Sequence, residues 1–325
     1  MCPSAKKKLF IHIGTPKTGT SSLQWFLYNN YEKLLEQGIL YPKSIVESCH
    51  NPKQQPLFSC IHSGNANGLN ALLQRISSEI TPSAAFIIVS SEGFYHHTDE
   101  LTESAWKLIC QLGQLYDLRI IVFLRPQADY IESMYRQYMK NPRGINPEYG
   151  SGMTIQELMA RPKLQQNMDY YGSLMRWAAT VGEDNVIVKE YSSGVIDDFI
   201  SLFDLDAGFN KSDIVRNTSI TRQMAEILRR VNPLFDNKKR NILIKQMESF
   251  LRRYPVKDDK TLLSPRERSE LCEHYRNGND LVSQKWLHND RLFSKYMTKK
   301  DETWEPLEMD HEEMIGFLRK IGNNS

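Results

Sequence analysis

The sequence predicts an α/β fold, in which helices cover both faces of a parallel β-sheet and a helical part follows. Four short apolar runs rich in β-branched residues have the length of buried strands: Leu9–Ile13, Phe86–Val89, Ile120–Leu124 and Val186–Val188. Segments with helical periodicity lie between them, and this alternation favours a parallel sheet. From about Ser219 onward no strand is evident, and four segments have helical periodicity: Ala225–Val231, Ile242–Leu251, Arg266–Tyr275 and Glu312–Ile321.

We expect the 325 residues to form a single domain. Residues 1–216 make up the predicted α/β core and residues 217–325 its helical C-terminal part. Two segments look like loop elaborations of the core, near 39–81 and 140–166, because they are rich in Pro, Gly and other turn-forming residues. The first of them has helical character near Leu69–Ile80. Long loops beyond the strand ends of an open sheet usually shape the substrate side.

Composition limits the partners and the compartment. Lys and Arg (41) nearly balance Asp and Glu (39), so there is no general attraction to nucleic acid or to an anionic membrane. The apolar part that follows Lys6–Lys8 is too short for a signal peptide, and no run approaches the ~20 apolar residues of a membrane span. The 5 cysteines are odd in number and scattered, which suits a reducing compartment. We therefore expect a cytoplasmic protein of unknown oligomeric state.

The most informative segment runs from Phe10 to Gln24, where a strand is followed by a tight loop and then by a helix. The loop contains Lys17, two glycines and several hydroxyl side chains, and a helix N-terminus favours an anion such as phosphate. In a nucleoside-triphosphatase loop, lysine directly follows the second glycine. Here Thr20 follows Gly19, and Lys17 lies two residues before that glycine. The sequence thus predicts a P-loop-type sheet with a displaced cation, which argues against common ATP or GTP hydrolysis.

A second candidate anion site lies at the end of another predicted strand. Arg125 follows Ile120–Leu124 and precedes the start of a helix, and Ser133 lies eight residues later on about the same helical face. The planar fork of an arginine suits a phosphate group. The alternative is an ion pair of Arg125 with Asp129 or Glu132.

These two segments resemble the motifs of sulfotransferases that use 3′-phosphoadenylyl sulfate (PAPS). The first signature, approximately P-K-[ST]-G-[ST]-[ST], is matched by residues 16–21, and the second, R-x-P-x-D-x-x-x-S, by Arg125, Asp129 and Ser133, with the proline one place early. Weaker matches cover Val186–Tyr191 and Asn217–Ile220. The resemblance extends over roughly the first 220 residues.

The resemblance implies a role for each matched residue. PAPS would be the sulfate donor, with no metal required. Arg125 and Ser133 would bind its 3′-phosphate, and Tyr191 would lie near the adenine. The 5′-phosphosulfate would be bound by Lys17, Thr18, Gly19, Thr20, Ser21 and Ser22.

The family's chemistry is an in-line displacement at sulfur by a hydroxyl or an amine. Lys17 would stabilise the charge that develops on the leaving oxygen. Glu92 follows the strand Phe86–Val89 and is the candidate general base, with His96 and His97 as reserves. The alternative role of Glu92 is to order its loop or to pair with Lys17.

The expected acceptor is a carbohydrate or another small molecule. Cytosolic small-molecule members carry an aromatic residue where this chain has Ser22, and a late R-K-G-x-x-G-type loop that this sequence lacks. The chain therefore looks nearer to the carbohydrate-type branch. Three basic runs are either solvated helix faces or part of a groove for an acidic polysaccharide: Arg229–Arg230, Lys238–Arg240 and Arg252–Arg253.

Two other patterns involve histidine. Cys49, His50, Cys60 and His62 match no common zinc-finger spacing and lie in a predicted loop, so no metal site is expected there. His12 is expected to be a satisfied histidine of the core.

Two other functions remain open at this stage. One is a P-loop kinase or nucleotidase with a degenerate loop, in which Asp117 or Glu92 would have to bind magnesium. The other is a non-catalytic relative that binds an anion or a glycan.

Overall fold

The computed structural model describes residues 6–144, 146–205, 208–211, 219–254, 261–288, 291–294 and 304–322. Five parallel strands form one sheet in the order β2-β3-β1-β4-β5. They are β1 Lys8–His12, β2 Ile39–Leu40, β3 Phe86–Ser90, β4 Asp117–Leu124 and β5 Val186–Glu190. The four predicted strands are confirmed as β1, β3, β4 and β5. The two residues of β2 are too few to give a periodic signal in the sequence.

Sixteen α-helices occur among the described residues. They are α1 Thr20–Asn29, α2 Tyr31–Glu36, α3 Gln55–His62, α4 Ala66–Glu79, α5 Gly93–His96, α6 Glu103–Leu115, α7 Gln127–Lys140, α8 Ile155–Met159, α9 Pro162–Met168, α10 Tyr170–Val181, α11 Val195–Leu202, α12 Arg222–Val231, α13 Asn237–Arg253, α14 Pro265–His274, α15 Arg276–Val282 and α16 His311–Gly322. None of them combines the length and apolar character that crossing a membrane requires.

Helices cover both faces of the sheet, as predicted. Side chains alternate along β1, so Ile11 packs into one cluster with residues of α3, α4, α6 and α10. Phe10 packs into a second cluster with residues of α1, α2 and α11. Both faces are therefore apolar, which explains why the strands read as continuous hydrophobic runs.

The chain divides into two compact units. The first contains the whole sheet and comprises residues 1–125, 169–216 and 277–293. The second comprises residues 126–168, 217–276 and 294–325, and its described residues form helices α7–α9, α12–α14 and α16 around their own apolar cluster. The sequence predicts residues 126–168 as part of the core, whereas the structure groups them with the later helices.

Both predicted loop elaborations contain more regular structure than expected. The 39–81 segment carries β2, α3 and α4, and the 140–166 segment carries α8 and most of α9. Short helices in turn-rich sequence are hard to recognise, because their stability comes from packing rather than from propensity. Cys60 and His62 accordingly lie in a helix and not in a loop.

Candidate functional site

Three neighbouring strand ends bring the main candidate residues to one edge of the sheet. β1 lies between β3 and β4, and all three strands are parallel. The loop with Lys17 follows β1, Glu92 follows β3, and Arg125 follows β4. The pairing continues past the strands, since the N–H of Ser91 donates to the carbonyl of His12 at 3.1 Å. The carboxyl ends of such strands form the usual ligand-binding edge of an open α/β sheet.

The loop after β1 has an unusual backbone. Gly14, Lys17 and Gly19 adopt left-handed conformations, with φ of +54°, +70° and +76°. The two glycines adopt it without strain, whereas at Lys17 it costs on the order of 1 kcal/mol. The hydroxyl of Thr18 is buried and donates to the carbonyl of Thr15 at 2.6 Å, which holds the turn. Strain of this kind persists where the surrounding structure fixes it, often at binding sites.

The loop opens onto the N-terminus of α1. Gly19 is the N-cap residue and supplies no side-chain cap, and the first turn carries no acidic residue. Ser21 is exposed and Ser22 is half-buried. The first-turn N–H groups and the helix dipole together favour an anion at this position.

Two hydroxyls of the loop are buried without hydrogen-bond partners. They belong to Thr15 and Thr20, and neither oxygen contacts a donor or acceptor among the described residues. A buried polar group without a partner costs about 1–3 kcal/mol. Ligand oxygens in the loop would remove that cost.

Arg125 contacts the lysine loop directly. One guanidinium nitrogen donates to the backbone carbonyl of Lys17 at 3.1 Å, and the guanidinium lies over the ring of Tyr191, 5.5 Å from its centroid. The hydroxyl of Tyr170 donates to the Arg125 carbonyl at 2.5 Å and so fixes the strand end. In the second unit, Asp129 and Glu132 both bind Arg268 instead, at 2.5 and 2.7 Å. These two acids, which the sequence offered as alternative partners of Arg125, therefore pair with an arginine of their own unit.

Tyr191 lies beside the same loop. Its N–H donates to the carbonyl of Leu124 at 2.6 Å, which places the residue directly after β5. Its ring is 3.5 Å from the position that a Cβ on Gly19 would take. The structure thus brings together Lys17, Gly19, Arg125 and Tyr191.

Ser133 and the Asn217–Ile220 match lie in the second unit. Ser133 lies within α7 and is half-buried, and its role as a ligand stays a prediction. Of the Asn217–Ile220 match, Asn217 and Thr218 lie outside the described residues. Ser219 is exposed, whereas Ile220 is buried in the cluster of the second unit.

Glu92 is the N-cap residue of α5 and is half-buried. Burial raises the pKa of its carboxyl above the usual value, and the positive charges of Lys53 and Lys17 partly offset this rise. The carboxyl therefore lies within electrostatic reach of the loop lysine. Lys53, which forms an ion pair with Glu47 at 3.2 Å, was not found by sequence reasoning, because a single lysine in a turn-rich segment carries no distinctive signal.

The two reserve histidines follow Glu92. The N–H of His96 donates to the Glu92 carbonyl at 3.0 Å. Nδ1 of His97 lies 2.6 Å from a carboxylate oxygen of Glu100. Neither position excludes a role as a base, and both remain predictions.

His12 is a core residue at the end of β1, as predicted, but one of its ring nitrogens has no partner in the part of the chain that the structure describes. Nδ1 lies 2.8 Å from the hydroxyl of Ser90, which also accepts a hydrogen bond from Gln24 at 3.2 Å. Nε2 is buried without a hydrogen-bond partner among the described residues. Burial lowers the pKa of His12 to about 3, so the ring is neutral at physiological pH.

This depressed pKa predicts a pH-dependent stability. The unfolded chain binds a proton on His12 near pH 6.5, and the folded chain only near pH 3, so acid favours unfolding. The free energy of unfolding should fall as pH drops from 6.5 towards 3, by up to about 4 kcal/mol from this group. Urea titrations at several pH values in this range give the free energy of unfolding as a function of pH. The slope of this free energy against pH should be shallower for His12→Gln than for wild type. The exposed control His311→Gln should keep the wild-type slope, and equal slopes for all three proteins would contradict the assignment.

The kinase alternative loses one of its two acids. Asp117 is the first residue of β4, at the opposite end of the strand from Arg125, and lies 3.2 Å from Arg119. It cannot bind a metal at the loop end of the sheet. Only Glu92 remains for that role.

The fold and site define an α/β protein in which a glycine-rich loop links the central strand to a helix. No protein-family model and no curated protein matches the sequence. Among solved structures, the chain is similar to a sulfotransferase from Alicyclobacillus acidocaldarius, with a TM-score of 0.42 and 17% identity over 65% of this chain and 87% of that one.

Two further similar structures are complexes of retinol dehydratase. One contains androsterone and the inactive cofactor PAP, with a TM-score of 0.28 and 10% identity over 99% of this chain and 81% of that one. The other contains retinol and PAP, with a TM-score of 0.27 and 10% identity over 93% of this chain and 84% of that one.

Proposed function

We propose that this protein transfers the sulfuryl group of PAPS to a hydroxyl or amine of an acceptor, most simply a carbohydrate. The observation that carries the proposal is the hydrogen bond between the Arg125 guanidinium and the Lys17 carbonyl, at 3.1 Å. It joins the two anion-binding segments that the sequence singled out, 108 residues apart. A nucleotide with phosphates at both its 3′ and 5′ positions can use both segments at once.

The 5′ end of the donor would occupy the loop after β1. The first-turn N–H groups of α1 suit the phosphosulfate oxygens, and the Lys17 side chain supplies the cation. The hydroxyls of Thr15 and Thr20, which have no partner among the described residues, support an oxygen-rich ligand there. The hydroxyl of Thr18 is already used within the loop, so its predicted contribution would come from its N–H group.

The 3′ end would be bound by Arg125, whose guanidinium can offer paired donors to a phosphate. Tyr191 offers an aromatic surface beside Arg125 and Gly19, which fits the predicted position near the adenine.

The proposed reaction forms one bond and breaks one. The acceptor oxygen attacks sulfur, the bond from sulfur to the bridging oxygen breaks, and PAP leaves. Lys17 stabilises the charge that builds on the bridging oxygen. Glu92 accepts the proton of the acceptor, and its raised pKa makes it a stronger base than an ordinary carboxylate.

The reaction is tested by incubating the protein with ³⁵S-labelled PAPS and a panel of acceptors. The panel contains glycans, a simple phenol and a hydroxysteroid. The proposal predicts labelled product from at least one acceptor, with glycans preferred. PAP binding without transfer to any acceptor would favour the non-catalytic alternative, and γ-phosphate transfer from ATP would favour the kinase.

Arg125→Lys tests the proposed recognition of the 3′-phosphate. Lysine keeps the positive charge but lacks the paired N–H donors of the guanidinium. The affinity for PAP should therefore fall by roughly 10–100-fold, or about 1.4–2.7 kcal/mol. Adenosine 5′-phosphate lacks the 3′ group, and its affinity should change by less than threefold. Calorimetric titration measures both ligands. An equal loss of affinity for PAP and for adenosine 5′-phosphate would mean that Arg125 acts only by ordering the Lys17 loop.

A further inference from the structure

A cluster of two histidines and a glutamate lies in the first unit. His62 ends α3, His97 follows α5, and Glu100 ends a short 3₁₀ turn, Thr98–Glu100. One carboxylate oxygen of Glu100 lies 2.6 Å from Nδ1 of His97 and 3.8 Å from Nε2 of His62. One ligand atom from each residue lies within 4.8 Å of the others.

The scaffold holds these side chains in place. The buried ring of Phe58 lies 5.5 Å from the His97 ring at an interplanar angle of 28°, and 5.2 Å from the His62 ring at 35°. Trp177 donates to the hydroxyl of Thr98 at 3.1 Å, which anchors the turn that carries Glu100. The imidazoles and the carboxylate therefore need little reorganisation to converge.

His62 provides the observation that an ion pair alone does not explain. Its Nε2 is buried and has no hydrogen-bond partner among the described residues, since the Glu100 oxygen at 3.8 Å is too far for one. Two ligand atoms bound to one zinc ion at about 2.0–2.2 Å lie roughly 3.3–3.6 Å apart in tetrahedral geometry. The His62–Glu100 separation of 3.8 Å is close to this value, and the His97–Glu100 separation of 2.6 Å would have to widen by about 0.7–1.0 Å.

The donor set selects the class of ion. Two neutral imidazoles and one carboxylate suit zinc and its neighbours among the transition metals, whereas Mg²⁺ and Ca²⁺ prefer oxygen ligands alone. Three protein ligands leave the fourth position of a tetrahedral ion open to water. Water can reach the site, because the side chains of His97 and Glu100 are 33% and 43% exposed.

We propose that His62, His97 and Glu100 bind one zinc-type divalent ion. The ion would tie the end of α3 to the segment that follows α5. The proposal does not depend on sulfuryl transfer. Of the sequence set Cys49, His50, Cys60 and His62, it includes only His62.

The test is calorimetric titration of the intact, reduced protein with ZnCl₂, with MgCl₂ as the comparison ion. We expect one equivalent of Zn²⁺ to bind, and each of His62→Gln, His97→Gln and Glu100→Gln to weaken binding at least tenfold. Cys60→Ser is the matched control and should bind like wild type. The cysteine set makes the opposite prediction, since it needs Cys60 and not His97.

Thermal unfolding gives a second measurement that does not depend on the titration. Zn²⁺ should raise the melting temperature of wild type and of Cys60→Ser, and it should not raise that of Glu100→Gln. Circular dichroism checks that each variant is folded. No zinc binding by wild type, retained binding in the folded His97→Gln variant, or loss in Cys60→Ser would each overturn the proposal.

Discussion

Glu92→Gln is expected to lower kcat by on the order of 10²–10⁴, because it removes the group that accepts the acceptor's proton. Glutamine keeps the size of the side chain, so PAP affinity should stay within a few-fold of wild type. Steady-state kinetics with labelled PAPS measures the first quantity, and calorimetry the second. The control is Glu103→Gln, which alters an exposed glutamate of α6 paired with Lys107. A kcat within threefold of wild type would rule out Glu92 as the base.

The same substitution should stabilise the protein at neutral pH. Because burial raises the pKa of Glu92, the folded state binds its proton more tightly than the unfolded state does. The stability that this carboxyl contributes is therefore present below its ordinary pKa and is lost as pH rises through the raised value. Glutamine carries no charge, so the melting temperature of the variant should exceed that of wild type at pH 7. In wild type, the midpoint of the acidic limb in a plot of kcat against pH should lie above pH 4.5, the ordinary pKa of a glutamate.

Lys17→Met should lower kcat by on the order of 10²–10³, the usual effect of removing a group that stabilises developing charge. The charge on the bridging oxygen is greater in the transition state than in bound PAPS, so kcat should fall more than PAP affinity does. Methionine, like lysine, is expected to keep the left-handed backbone at position 17. Circular dichroism checks the fold. Lys107→Met, in an exposed helical pair, should leave both quantities unchanged. A loss of affinity with unchanged kcat would limit Lys17 to ground-state binding.

The parts of the fold that were predictable are those with strong local signals. The buried strands are continuous apolar runs, and the loop of Gly14, Lys17 and Gly19 combines glycines with a lysine before an amphipathic helix. Arg125 was recognisable because it directly follows an apolar run. Each of these signals lies within about fifteen consecutive residues.

The parts that were missed depend on contacts between distant segments. The effect of Lys53 on Glu92, the binding of Asp129 and Glu132 by Arg268, and the meeting of His62 with His97 all join residues at least 35 positions apart. Their sequence neighbourhoods carry no pattern that indicates a partner. In the 39–81 segment, α4 matches the helical character expected near Leu69–Ile80. Helix α3 was missed, because packing stabilises it in spite of a turn-rich composition.

The central claim is that one nucleotide with both 3′ and 5′ phosphates is bound by the Lys17 loop together with Arg125. Calorimetric titration of the wild-type protein with PAP, and separately with ATP in the presence of Mg²⁺, tests it most directly. We predict saturable binding of one PAP per chain and an affinity for ATP at least tenfold weaker. An affinity for ATP equal to or greater than that for PAP, or no binding of PAP, would contradict the account.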